Sequence, residues 1–133
     1  MKYVHCLVIL IIAMLLLSCG NSHPKLMSIA VTPSTVTASM GSSMGSSMPT
    51  VTFTAIGKFD DGTSRMLSPT EGLTWMSASA MIATIDMNGV ATCASTGVVM
   101  ITAKLPVTTT MMAGMATQPT TSTISGTATL TCM

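Results

Sequence analysis

The sequence predicts an all-β protein, folded as a two-layer sandwich of about seven or eight short strands. Three observations lead there. After residue 18, apolar side chains never recur at helical spacing for three turns. Val, Ile and Thr recur instead with period two, which sends alternate side chains to opposite faces of a strand. Gly, Pro, Asn and Asp interrupt these runs at close intervals, as turns do in a sandwich. The 133 residues leave room for one domain at most.

The first element is a leader, residues 1–18. A polar start with Lys2 and His5 precedes an unbroken apolar run of 12 residues, Cys6 to Leu17. That is far short of the ~20 residues a membrane-spanning helix needs, and it fits the apolar core of a signal peptide. The run ends in Leu16-Leu17-Ser18-Cys19-Gly20, which resembles the lipobox of bacterial lipoproteins. The resemblance implies that the Cys19 thiol takes a diacylglycerol, that the chain is cut before Cys19, and that this residue is the lipid anchor in the membrane. A small Ser18 lets the peptidase approach the bond. Several acyl chains, at ~0.8 kcal/mol per buried methylene, then hold the protein durably. Gly20 in the following position looks like sorting to the outer membrane of a Gram-negative host. Residues 19–25 are polar and aperiodic and read as a lipid-anchored tether, with the folded unit over 26–133.

Within that unit, Leu26 to Thr32 forms the first strand, ended by Pro33, which has no N–H to give a ladder. Thr50 to Gly57 sets Val51, Phe53 and Ala55 on a core face against Thr50, Thr52 and Thr54 on the other. Asp61-Gly62 marks a turn, because Gly accepts positive φ and Asp bonds its own backbone. Arg65 to Thr70 and Leu73 to Ser77 give two short strands around Trp75, read as the central packing residue and not as an exposed sugar platform. Ala80 to Asp86 and Val90 to Ser95 flank Asp86-Met87-Asn88-Gly89, a hairpin signal. Val98 to Lys104 turns Val99, Ile101 and Ala103 to one side. Ile124 to Met133 does the same with Ala128, Leu130 and Cys132.

These blocks, in this order, are similar to the bacterial immunoglobulin-like group 2 family. The similarity is carried by Leu26-Met-Ser-Ile-Ala-Val-Thr-Pro33, Phe53-Thr-Ala55 with Asp61-Gly62-Thr63, Leu73-Thr-Trp75, Ile82-Ala-Thr-Ile-Asp86 with Asn88-Gly89-Val90, and Gly97 with Ile101-Thr-Ala103. The resemblance implies an immunoglobulin-like β-sandwich, used as a non-catalytic module in bacterial surface proteins such as the invasin and intimin adhesins. It supplies no shared ligand or site residues. Two stretches depart from it. Residues 40–49 repeat Gly-Ser-Ser-Met, and residues 106–123 are a Thr-rich insertion; both read as flexible loops.

Composition excludes several functions. Once the leader is removed, Lys25, Lys58, Arg65 and Lys104 balance Asp60, Asp61, Glu71 and Asp86. A net charge of zero argues against nucleic-acid binding, which needs clustered cations to displace counterions. One His, His23, and one Glu, Glu71, remain in the mature chain, too few for a Ser-His-Asp triad or a His-based metal site. Asp60 and Asp61 are adjacent and belong to a turn, with no further acids nearby to complete a calcium shell. The chain is therefore read as no enzyme, with no cofactor.

Two features remain. Cys93 and Cys132 are the cysteines left in an exported protein after Cys6 departs and Cys19 is acylated, so a Cys93–Cys132 disulfide is the simple outcome, with two separate buried thiols as the alternative. Thirteen methionines follow residue 18, and with large aliphatics scarce, methionine is expected to fill part of the core. Met40, Met44 and Met48 recur at steps of four, and Met111, Met112 and Met115 cluster; thioethers are soft ligands for Cu(I), though drift in composition accounts for them as well. The expected function is a lipid-anchored module of the bacterial cell envelope, at the outer membrane or cell surface, that contacts another envelope protein, a glycan or a host surface. A Met-rich copper-binding lipoprotein and an inert glycosylated surface spacer are the alternatives.

Overall fold

The computed structural model describes residues 23–40, 48–113 and 116–133, with side chains left aside for 109–118. The leader, Cys19 and most of the Gly-Ser-Ser-Met repeat lie outside the described residues. Strands follow one another as β1 (Leu26–Thr32), β2 (Thr35–Ala38), β3 (Thr50–Thr52), β4 (Thr54–Phe59), β5 (Ser64–Met66), β6 (Thr74–Ser77), β7 (Ala83–Ile85), β8 (Val90–Cys93), β9 (Gly97–Ala113) and β10 (Ala116–Cys132), with a 3-10 turn at Pro69–Glu71. No helix among the described residues is long and apolar enough to cross a membrane.

One layer is a four-stranded sheet in the order β2-β10-β9-β6. β9 and β10 pair antiparallel without a register shift, from Gly97 opposite Cys132 to Ala113 opposite Ala116. β6 adds antiparallel on one side and β2 adds parallel on the other. The second layer consists of β1-β4-β5 and β3-β8-β7, joined along the stretch Thr50–Phe59 and broken at Phe53 alone. There the Phe53 N–H donates to the Gly89 carbonyl at 2.8 Å, which keeps the break tied to the turn before β8. β1, β3 with β4, β8 and β7 thus stand where strands A, B, E and D stand in an immunoglobulin-like sandwich, and β6, β9 and β10 where C, F and G stand. The chain crosses from one layer to the other at the cis Thr32–Pro33 bond.

The core lies between the layers, and period-two alternation builds it: Val99, Ile101, Ala103 and Leu105 from β9 face Ala128, Leu130 and Cys132 from β10 on the same buried side. β1 needs one correction to that period. Leu26, Ile29 and Val31 are all buried although the first two stand three positions apart, because a bulge sets Leu26 and Ser28 opposite the adjacent residues Phe59 and Lys58.

Methionine does not fill the core, contrary to the composition-based expectation. Among the described residues the buried set contains none, and Met40 alone packs against it from the side. Small groups take the space instead: Ala38, Ala55, Ala83, Ala91, Ala103 and Ala128, with both half-cystines. Small side chains let the layers approach closely, so the volume to be filled shrinks. Gly126 shows how closely, since a Cβ there would lie 2.4 Å from the Ile29 carbonyl oxygen of β1.

Three further expectations change. Residues 106–123 are not a loop: they continue β9 and β10 as a ribbon, with Pro106 opposite Thr123 and Thr110 opposite Pro119. Thr and Val suit a strand well; beyond Val107 the two alternate sets of positions both carry Thr, Ser and Met, so no apolar alternation marks the strand and it resembles a loop in sequence. The strand expected over Arg65 to Thr70 ends at Met66, since Pro69 begins the 3-10 turn and the Glu71 carboxylate accepts the Ser68 N–H at 3.1 Å. Thr50 to Gly57 is divided between two sheets by Phe53, and the short β2 has no counterpart in the sequence reading.

Candidate functional site

Cys93 closes β8 and Cys132 closes β10, so their sulfurs meet between the two layers. They are joined, with Cα atoms 5.9 Å apart, inside the roughly 4.4–6.8 Å that a disulfide spans without backbone movement. Both half-cystines are buried. The bridge therefore staples layer to layer at the end of the last strand.

Each acidic side chain of the module is committed to a backbone or side-chain partner. Asp60 accepts the Lys25 N–H at 2.8 Å while the Asp60 N–H donates back to the Lys25 carbonyl at 3.0 Å, which fastens the start of the domain to the β4–β5 turn. Asp61 accepts the Thr63 hydroxyl and N–H at 2.6 and 2.9 Å. Asp86 accepts the N–H groups of Asn88 and Val90 at 2.9 and 2.8 Å. Glu71 pairs with Arg65, whose guanidinium also lies 4.8 Å from the centre of the Phe59 ring. Those of Asp61, Glu71 and Asp86 are turn and cap roles, and that of Asp60 is a tie between distant segments.

The Thr63 hydroxyl, followed by the Thr63 N–H, holds the Asp61 carboxyl below its ordinary value; the Arg65 guanidinium, followed by the Ser68 N–H, does so for Glu71. A depressed carboxyl stabilises the fold above its unfolded pKa of about 4, and the contribution is lost as the pH falls through the lower folded value. The Arg65–Glu71 pair is exposed and worth less than about 1 kcal/mol. Thermal melts are therefore expected to be flat from about pH 8 to about pH 5 and to drop by a few degrees below about pH 4. Glu71→Gln should remove part of that drop, and a circular dichroism melt series checks it.

The Asn88-Gly89 turn helps shape a hollow lined by Trp75. Gly89 sits at φ 81°, where L side chains are strained. It also lacks room for one, since a Cβ would lie 2.4 Å from the Phe53 carbonyl oxygen and 3.1 Å from the Trp75 indole. Trp75 is half-buried, its ring 6.5 Å from that of Phe53 at 43°. It packs at the rim of the core and not at its centre, because β6 is the edge of its sheet. Beside it, Leu67, Leu73 and the exposed Met66 and Met87 line a hollow of about 180 Å3. Ligand pockets for drug-sized molecules run from about 300 Å3, so this hollow suits a single apolar side chain of a partner. A wider, open depression of about 430 Å3 lies where the tether joins, between His23, Lys25, Phe59 and Thr108.

Comparison with known family models and curated proteins found no match to this chain.

The soft-metal candidates do not come together in the described part. Met40 packs against the core and its N–H donates to the Met133 carbonyl, whereas Met48 points to solvent. Met44 and Met115 lie outside the described residues, as do the side chains of Met111 and Met112 and the lipidation candidate Cys19. Sequence reasoning missed the hollow. Its signal was present in Trp75 and in a hairpin glycine, but the partnership between residues 75 and 89 arises from the crossing of layers and leaves no spacing pattern.

Proposed function

We propose that this protein is a non-catalytic, lipid-anchored component of the bacterial cell envelope whose immunoglobulin-like domain serves as a binding, adhesion or structural module. The observation that carries the reading is the use made of the polar groups. Asp61, Glu71 and Asp86 bind turns and caps and Asp60 binds the backbone at Lys25, while the apolar hollow at Trp75 opens beside the edge strand β6. A partner would seat an apolar side chain there and add its backbone to the free edge, the mode by which extended segments dock on sheets. The similarity of the sequence blocks to the bacterial immunoglobulin-like group 2 family supports the same reading, as does a tryptophan on the strand equivalent to C.

The lipobox-like Leu16-Leu17-Ser18-Cys19 supports anchoring at the outer membrane or cell surface. Cys19→Ser is expected to abolish globomycin-sensitive processing and to release the protein from the membrane fraction. Unchanged membrane partition of the variant would contradict the anchor.

A further inference from the structure

The methionines lie where hydrophobicity alone does not put them. Among the described residues, the large apolar side chains exposed to solvent are eight methionines and Val98. Leu, Phe and Trp, and every Ile but the half-buried Ile56, are buried or packed on the core among the described residues, with Leu26, Leu67, Leu73, Leu105 and Leu130 all in the buried set. Transfer free energy treats leucine and methionine nearly alike, so apolarity alone does not account for a partition this selective by residue type, and its result is a surface that presents thioethers. Exposure runs from 50% at Met76 to 84% at Met81. The sites also cover different surfaces. Met66 and Met87 flank the Trp75 hollow. Met76 sits opposite Thr102, which makes it the diagonal neighbour of Met100 on the outer face of the four-stranded sheet, about 7–8 Å away.

We infer that the module is a reversible sink for peroxides, consuming them stoichiometrically at its surface methionines. In each step a thioether lone pair attacks one oxygen of hydrogen peroxide. The S–O bond forms as the O–O bond breaks, and the departing hydroxide takes the proton from the transferred oxygen and leaves as water. Sulfur loses two electrons and the peroxide gains them. The product is methionine sulfoxide, a polar group that disrupts a core but is tolerated in solvent. This fold absorbs the change because its buried set is Ala, Leu, Ile, Val, Phe and a cystine already oxidised. The product calls for a thiol-dependent sulfoxide reduction, in which the oxygen leaves as water and two thiols become a disulfide. The oxidant chemistry stands on exposure alone; the benefit to neighbouring envelope proteins rests on the reading above.

The test uses the full chain purified in detergent, treated with hydrogen peroxide and followed by intact mass and by melting. At least eight oxygens are expected to add, matching the eight exposed methionines, with the melting temperature shifted by less than about 4 °C. Loss of the folded transition before those oxygens add, or uptake confined to fewer than half of them, overturns the inference. Treatment with a methionine sulfoxide reductase and a thiol donor should return the mass to its starting value, and sulfoxides that resist it also count against a reversible sink. In a Met66→Thr, Met76→Thr, Met87→Thr, Met100→Thr variant, peroxide consumed per chain should fall by four equivalents, one for each thioether removed. Unchanged consumption by the folded variant would assign the uptake elsewhere. Should the variant not fold, the wild-type measurements decide.

Discussion

Replacing Cys93 and Cys132 together by alanine lowers the stability of the domain by about 4 kcal/mol, the value expected from releasing a loop of this length in the unfolded chain, here a separation of 39 residues. Small domains are stable by roughly 5–15 kcal/mol, so the loss removes a large share of the whole. The effect is large here for a reason in the core. Six alanines occupy buried positions where a sandwich usually carries larger groups, and each contributes less than a leucine would. The bridge also joins β8 in one layer to β10 in the other, a link that no ladder supplies. Urea titration followed by Trp75 fluorescence measures the change, and reduction of the wild-type protein should reproduce most of it. A midpoint unchanged on reduction would mean that apolar packing alone holds the layers together.

The second large effect is expected at Gly126. Adding one methyl group there, as Gly126→Ala, brings a Cβ to 2.4 Å from the Ile29 oxygen and 2.9 Å from its carbonyl carbon. Both are backbone atoms and cannot turn aside as a side chain would. β1 must lift from the four-stranded sheet, and the cost is about 3 kcal/mol, at the upper end for overpacking. The same urea titration reads it. Hydrogen exchange should quicken first in β1, whose partner β4 is bonded to it from Leu26 to Thr32. A change within about 0.5 kcal/mol, the range of ordinary surface substitutions, would show that the layers do not meet as closely as described.

These two sites show which parts of the fold were readable in the chain. Alternation in Val98 to Lys104 and in Ile124 to Met133 identified the buried faces of β9 and β10, because one side of each enters the core and selects apolar residues there. The Asn88-Gly89 hairpin was readable because its geometry is local. Cys93 and Cys132 were readable as a candidate pair because they are the two cysteines beyond the leader-like start and Cys19, and the structure gives the geometry that sequence spacing could not. The ribbon beyond Leu105 was hidden because Thr, Ser and Met fill both alternate sets of positions there, which leaves no apolar alternation to read. The core composition was misjudged because scarcity of large aliphatics suggested that another large residue must replace them. The layers instead approach over alanine, glycine and cystine, and among the described residues eight methionines lie exposed while Met40 packs against the core from the side. The Trp75 hollow depends on three segments far apart in sequence, at Phe53, Trp75 and Gly89, and only the crossing of layers brings them together.

The central claim is that a lipid-anchored, disulfide-closed module begins at Cys19. Intact mass of the protein extracted from membranes without reductant tests it most directly. The account predicts a chain of Cys19 to Met133 carrying diacylglycerol and N-acyl groups, lighter by the thiol hydrogens of Cys93 and Cys132, which reduction restores. A membrane-extracted chain that retains residues 1–18, or one that begins at Cys19 without added lipid, would contradict it.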